Sequence, residues 1–170
     1  MSDLARLIRD VPDFPKPGIM FKDITPLLGD AAALAETVER LAEPWVGKGV
    51  TKVVGIESRG FIVAPAVALR LGAGFVPARK PGKLPWKALS QGYGLEYGKD
   101  TLEMHQDSLL PGDRVLLVDD VLATGGTLGA ALALVRQLGA TPLGAAVLIE
   151  LGFLGGAAKL GLPLTAVLRY

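Results

Sequence analysis

The chain has no cysteine among its 170 residues. That excludes disulfides, thiolate nucleophiles and thiolate metal sites, and it fits a reducing compartment. There is one histidine, His105; a lone histidine near a strand is more often structural, and no chemistry is assigned to it. Charge of one sign is lacking too. Eighteen Lys and Arg against seventeen Asp and Glu leave a net charge of +1, so there is no general basic field and no nucleic-acid partner is expected. No apolar run approaches the ~18 residues of a membrane span. The N-terminal stretch MSDLARLIRDVPDF carries acids and no apolar core of signal-peptide length, so a cytoplasmic protein without membrane attachment is the expectation. Neither GxxxxGKS/T nor GxGxxG occurs, which excludes the P-loop and dinucleotide phosphate cradles.

What is present suits a globular protein. Half the residues are hydrophobic and 21% are charged, a balance that argues against disorder. At this length a single domain over residues 1–170 is expected, burying roughly 70% of the surface of the unfolded chain. There is no internal repeat, low-complexity tract or linker. Basic residues do collect locally at Arg79, Lys80, Lys83 and Lys87.

Periodicity predicts alternating strands and helices. Leu4, Leu7, Ile8 and Val11 form one stripe of a short helix after Ser2. Asp30 is placed to cap a helix carrying Leu34, Val38, Leu41 and Trp45. Strands are expected at 52–56, 75–78, 114–118, 141–149 and 164–168. Helices are expected over 61–71, with Pro65 near the first turn, and along Leu128, Leu132, Val135 and Leu138. Residues 80–100 contain six Gly or Pro and no sustained period, so a long functional loop is expected, with a hairpin-like passage only from Thr101 to Met104. Strands that are apolar throughout are buried on both faces. The expected fold is therefore α/β, a mostly parallel central sheet flanked by helices.

The most informative run is VLLVDDVLATGGT, from Val115 to Thr127. In open α/β sheets ligands sit beyond the carboxyl ends of the strands, where Asp119 and Asp120 are expected to emerge. The turn Ala123-Thr124-Gly125-Gly126-Thr127 opens a helix. Its glycines allow close backbone approach, and its N–H groups and hydroxyls form a phosphate cradle. Two acids beside a phosphate need something between them. Vicinal sugar hydroxyls can donate to both, and a divalent cation can offset the remaining charge. A ribose 5-phosphate with Mg²⁺ nearby satisfies all of this. Taken singly, two loop acids or a glycine pair would be ordinary surface features; strand, acid pair and cradle in this order are not.

This run is similar to the signature of the type I phosphoribosyltransferases, in which the acid pair holds the ribose hydroxyls and the glycine-threonine loop the 5-phosphate. Glu57-Ser58-Arg59-Gly60 resembles the family's pyrophosphate loop, and the resemblance implies a cis peptide at Glu57–Ser58. Further matches point to the adenine-specific branch: Phe14-Pro15-Lys16-Pro17-Gly18-Ile19, Phe21-Lys22-Asp23-Ile24-Thr25-Pro26, Arg79-Lys80-Pro81-Gly82-Lys83-Leu84-Pro85 and Leu95-Glu96-Tyr97-Gly98. The family often has arginine where this chain has Lys22, and Trp86 to Gly94 matches only loosely.

The resemblance implies transfer of a phosphoribosyl group from phosphoribosyl pyrophosphate to N9 of adenine, giving AMP and pyrophosphate. It implies Mg²⁺ bound mainly through the phosphoribosyl pyrophosphate, with no metal site of the protein's own, and a homodimer. Phosphoribosyl pyrophosphate contacts are implied for Asp119, Asp120, Ala123, Thr124, Gly125, Gly126, Thr127, Glu57, Ser58, Lys83 and Arg79, the last reaching in from a neighbouring subunit. Phe21 and Leu151 would sandwich the base, with the backbone around Met20 and Lys22 reading its edge. Arg59, Glu96 and Tyr97 would serve the chemistry. Glu96 is the candidate acid/base, because Ala123 stands where 6-oxopurine enzymes place an aspartate. Two alternatives stay open: a phosphoribosyltransferase for another base, such as xanthine or orotate, and a non-catalytic sensor of the same fold.

Overall fold

Val53, Val54 and Ile56 are fully buried, as are Val115, Leu116, Leu117 and Val118. Consecutive buried residues on a strand need cover on both faces, and the computed structural model shows how this chain supplies it. It describes residues 3–95 and 98–170. In chain order the first half holds β1 (Arg9–Val11), β2 (Phe21–Asp23), α1 (Thr25–Leu28), α2 (Ala31–Ala42), β3 (Lys52–Ile56), α3 (Gly60–Leu71) and β4 (Gly74–Ala78). The second holds β5 (Ala88–Leu95), β6 (Gly98–His105), β7 (Arg114–Leu122), α4 (Gly126–Gln137), β8 (Thr141–Glu150), α5 (Gly156–Leu160) and β9 (Leu164–Arg169).

Five strands form a parallel sheet in the spatial order β4-β3-β7-β8-β9. On one face Val53, Leu116, Val118 and Ala146 pack against Leu41 of α2 and Val63, Ala64 and Val67 of α3. On the other, Val54, Ile56, Leu117 and Val147 meet Leu128, Leu134 and Val135 of α4 and Leu102 and Met104 of β6. Each large aliphatic side chain buried this way contributes about 1.5–3 kcal/mol relative to exposure. A third cluster, in which Leu4, Ile24, Leu27 and Ala33 meet Leu148 and Ile149, docks the N-terminal segment on the sheet.

The topology positions the site. The chain leaves β3 through α3 toward β4 on one side, and leaves β7 through α4 toward β8 on the other. The strand order therefore reverses between β3 and β7, and a crevice opens at their carboxyl ends.

The α2 helix forms as its capping signal predicts, with the Asp30 side chain accepting from the Ala33 N–H at 2.9 Å. Four local expectations differ from the structure. Residues 9–11 are a strand rather than the end of a helix. A 3-10 turn (Leu4–Leu7) gives way to β1, which pairs antiparallel with β2, and Lys22 Nζ closes on Asp10 Oδ1 at 2.6 Å. Trp45 falls in a 3-10 turn beyond α2, where Pro44 lacks the N–H a helix interior needs. Pro65 lies inside α3 rather than in its first turn. The segment expected to be irregular is largely a β-hairpin of β5 and β6, with Gln91 opposite Leu102 and Tyr93 opposite Asp100. Its glycines weaken any strand signal, and packing of Leu89, Leu102 and Met104 against the core decides the outcome. Among the described residues no helix is long and apolar enough to cross a membrane.

Candidate active site

Two turns meet at the crevice. The first leaves β3 at Glu57, whose N–H donates to Ala78 O at 2.9 Å. The Glu57–Ser58 peptide is cis. Gly60 then starts α3 hard against β7: a Cβ there would lie 2.9 Å from Asp119 Oδ1 and 3.1 Å from Val118 O. Only glycine lets this helix come so close to the acid.

The second turn leaves β7. The strand was expected to end at Val118 but continues to Leu122, because β8 keeps pairing with it through Asp119↔Val147 and Leu122↔Glu150. On the other side β3 stops pairing at Val118. The acids therefore sit within β7, at the step where its neighbour ends. Asp119 is 8% exposed and Asp120 4%. After them Gly125 takes φ +85°, with Gly156 O only 2.9 Å from where a Cβ would be. Gly125 is also the N-cap of α4 and has no side chain with which to cap it. The N–H groups of that first turn are left to an outside acceptor.

These turns line a cavity of about 500 Å³ together with Phe14, Phe21, Lys80 and Tyr93; its walls include Glu57, Ser58, Arg59, Asp119, Asp120 and Thr127. Adjoining it, a hollow of about 120 Å³ is formed by the cradle residues Ala123, Thr124, Gly125, Gly126 and Thr127. Arg59 bridges the two ends of the larger cavity. Its Nε is 2.7 Å from Asp120 Oδ2, and its guanidinium lies 4.9 Å from the centre of the Phe21 ring.

Electrostatics separates the acids. Burial raises the Asp119 carboxyl well above the ordinary aspartate range, and the neighbouring Asp120 charge adds to it. Asp120 is also raised by burial, against the pull of Arg59. For Glu57 burial acts upward as well, yet the Lys80 N–H at 2.9 Å and Arg79 Nε at 3.2 Å hold it below the usual value. Asp120 Oδ2, although ion-paired, has no aligned hydrogen-bond donor among the described residues. Buried acceptors left this way ask for donors from a ligand.

The other residues singled out from the sequence are placed as follows. Leu151 does not line the 500 Å³ cavity; it packs with the third core cluster just past β8. Met20 is half exposed, and the Lys22 side chain is engaged by Asp10 and lies 4.1 Å over the Tyr170 ring. Arg79, expected from a neighbouring subunit, is held within its own chain by Glu57 and by Lys83 O at 3.2 Å. Lys83 itself is exposed. Glu96 and Tyr97 lie outside the described residues. Phe14, Lys80 and Tyr93 were not foreseen as cavity residues. Lys80 had a signal in the basic cluster and Phe14 in its proline-rich motif, whereas Tyr93 sat in the segment read as irregular.

A parallel sheet that brings a buried acid pair and an amide cradle to its switch point defines a class: enzymes that grip a phosphorylated sugar. The phosphoribosyl transferase domain family matches residues 22–159. The chain is 59% identical to the adenine phosphoribosyltransferase of Anaeromyxobacter dehalogenans, covering 95% of this chain and 94% of that one. The crystal structure of the Rhodothermus marinus adenine phosphoribosyltransferase superposes with a TM-score of 0.94 at 54% identity, covering 98% of this chain and 96% of that one. The Saccharomyces cerevisiae enzyme, crystallised with an imino-altritol bisphosphate and adenine, gives 0.92 at 38%, covering 97% and 96%. The chain belongs to the adenine phosphoribosyltransferases, within the phosphoribosyl transferase domain family.

Proposed function

We propose that the crevice between β3 and β7 transfers the 5-phosphoribosyl group of phosphoribosyl pyrophosphate to N9 of adenine, giving AMP and pyrophosphate. One observation carries this reading: two buried carboxylates, with Asp120 Oδ2 lacking a hydrogen-bond donor among the described residues, stand beside an uncapped helix N-terminus at the switch point. Asp119 and Asp120 accept from the ribose hydroxyls, and Ala123, Thr124, Gly125, Gly126 and Thr127 hold the 5-phosphate. Glu57, Ser58 and Arg59, with Arg79 and Lys83, face the departing pyrophosphate, where guanidinium suits a multiply charged group.

Binding the sugar takes Asp120 away from Arg59 and frees the guanidinium for that task. Phe21 and Leu151 enclose the base, which requires Leu151 to come within reach of the cavity, and the backbone at Met20 and Lys22 reads its edge. N9 then attacks the anomeric carbon through an oxocarbenium-like state. Glu96 manages the proton of the purine, with Tyr97 beside it.

Among the described residues no group of three His, Asp or Glu side chains could hold a metal. Mg²⁺ would come in bound mainly to the phosphoribosyl pyrophosphate, where it would offset negative charge as the leaving group departs. The same reading takes residues 1–170 as one catalytic domain acting as a cytoplasmic homodimer.

The direct test is AMP formation from adenine, phosphoribosyl pyrophosphate and Mg²⁺, run beside hypoxanthine, xanthine and orotate. Turnover with another base but not adenine would reject the base assignment. In the same assay Glu96→Ala should lower kcat by ~10²–10⁴, the range of a general acid–base group; a loss under threefold removes Glu96 from the chemistry.

A further inference from the structure

Lys80 follows β4 and is held at both ends. Its backbone N–H donates to Glu57 Oε2 at 2.9 Å. Its ammonium donates to Tyr93 Oη at 3.1 Å and is in ion contact with Asp100 Oδ2. The Tyr93 hydroxyl in turn donates to the same Asp100 oxygen at 3.1 Å, and the other Asp100 oxygen accepts from the Thr101 N–H at 2.8 Å. Tyr93 and Asp100 are directly opposed across β5 and β6, so strand register sets their spacing. The hairpin is seated as well. A Cβ on Gly126, the first residue of α4, would lie 3.2 Å from Tyr93 Cδ2 and 2.9 Å from Gly94 O. Lys80 and Tyr93 both line the 500 Å³ cavity, whereas Asp100 stands behind them.

An ammonium has three N–H donors. Asp100 and Tyr93 engage two, which leaves the third for an anion in the cavity. A free lysine side chain loses rotamer freedom on being fixed; here that cost falls on folding rather than on ligand binding.

We propose that Asp100 and Tyr93 are positioning residues, which hold the Lys80 ammonium at the cavity wall ready for the pyrophosphate end of the sugar substrate. The inference rests on the functional reading above. It adds that the hairpin is part of the anion site through a lysine it does not itself carry.

The test is calorimetric uptake of phosphoribosyl pyrophosphate with Mg²⁺ by wild type, Asp100→Asn, Lys80→Ala and the double variant. Asp100→Asn should weaken uptake by about five- to tenfold, the scale of a partly exposed charge-assisted contact. Tyr93→Phe, which keeps the ring, should weaken it by about two- to threefold. In the Lys80→Ala background neither change should cost anything further, because a positioning residue acts only through its target. Steady-state kinetics should show a raised KM for the sugar with kcat within about twofold. Equal losses with and without Lys80, or no loss from either variant, overturn the proposal. Should Asp100→Asn fail to fold, Tyr93→Phe decides in the same two backgrounds. If wild type takes up the sugar but makes no AMP, the base assignment falls and the cycle still reads. If wild type takes up no sugar, both fall.

Discussion

Aspartates stand just before strand β7 and in its carboxyl-terminal half, and the two places are built to opposite rules. At the amino end Asp113 accepts from Thr51 Oγ1 at 2.8 Å and from the Leu110 N–H at 2.9 Å. Next to it Arg114 donates to Lys48 O at 2.9 Å and Gly49 O at 3.1 Å. Both Asp113 oxygens have partners there. Burial pushes its carboxyl upward, but these hydrogen bonds win and hold it below the ordinary range. At the carboxyl end Asp119 and Asp120 are more deeply buried, lie beside each other, and are raised. One end of the strand satisfies its acid and stabilises the fold. The other leaves Asp120 Oδ2 without a hydrogen-bond donor among the described residues, the kind of departure from the rules followed elsewhere that functional sites commonly show.

That contrast breaks most easily at Asp120. Asp120→Asn should lower AMP formation by about 10²-fold or more, the scale of losing a pre-organised charged group at a reacting sugar. It should also raise the melting temperature near neutral pH, because one of two crowded buried charges is gone. An unchanged rate would erase the distinction between the two ends. Gly60→Ala comes next. Its methyl group would press on Asp119 Oδ1 and Val118 O, so activity should fall by about tenfold or more while the sheet still forms. Wild-type kcat/KM in that variant would show that the close approach of α3 is incidental. Asp113→Asn should behave in the opposite sense, costing about 1–2 kcal/mol of stability in denaturant melts with kcat unchanged.

The smallest effect, and the sharpest on sign, is pH. Asp119 and Asp120 titrate higher in the folded chain than the ~3.9 of an unfolded aspartate. The folded state therefore holds more protons, and their contribution to stability falls as pH rises from about 4 through the raised values. Asp113 titrates lower when folded; its stabilisation is present above about 4 and is lost as pH falls through its folded value. The stability advantage of Asp120→Asn and the deficit of Asp113→Asn should both fade in acid, with opposite signs above it. Melts at pH 3, 5 and 7 would check this, and equal signs would overturn the electrostatic contrast.

Legibility from sequence followed the range of the forces involved. The sheet strands and the α2, α3 and α4 helices were readable because their apolar periods and caps are local. The cradle was readable because strand, acids, glycines and helix start are contiguous. The hairpin was not, because Gly92 and Gly94 mute the alternation and its packing partners lie on α4 and β4. Lys80 and Tyr93 were missed as cavity residues for the same reason: thirteen positions apart, they meet only once β5 and β6 pair and fold back on β4. The length of β7 was underestimated because Asp119 and Asp120 look like loop residues until β8 is known to continue beside them.

The sequence alone settled the α/β class, the order of the main elements and the presence of a glycine-threonine turn at a helix start next to paired acids, since each depends on neighbours along the chain. The tertiary structure decided that Arg59 sits on Phe21 and Asp120, that the acids are buried at a step in the sheet, and that a hairpin grips Lys80. Those facts depend on which strands lie side by side, and that is determined by burial summed over residues far apart in the chain.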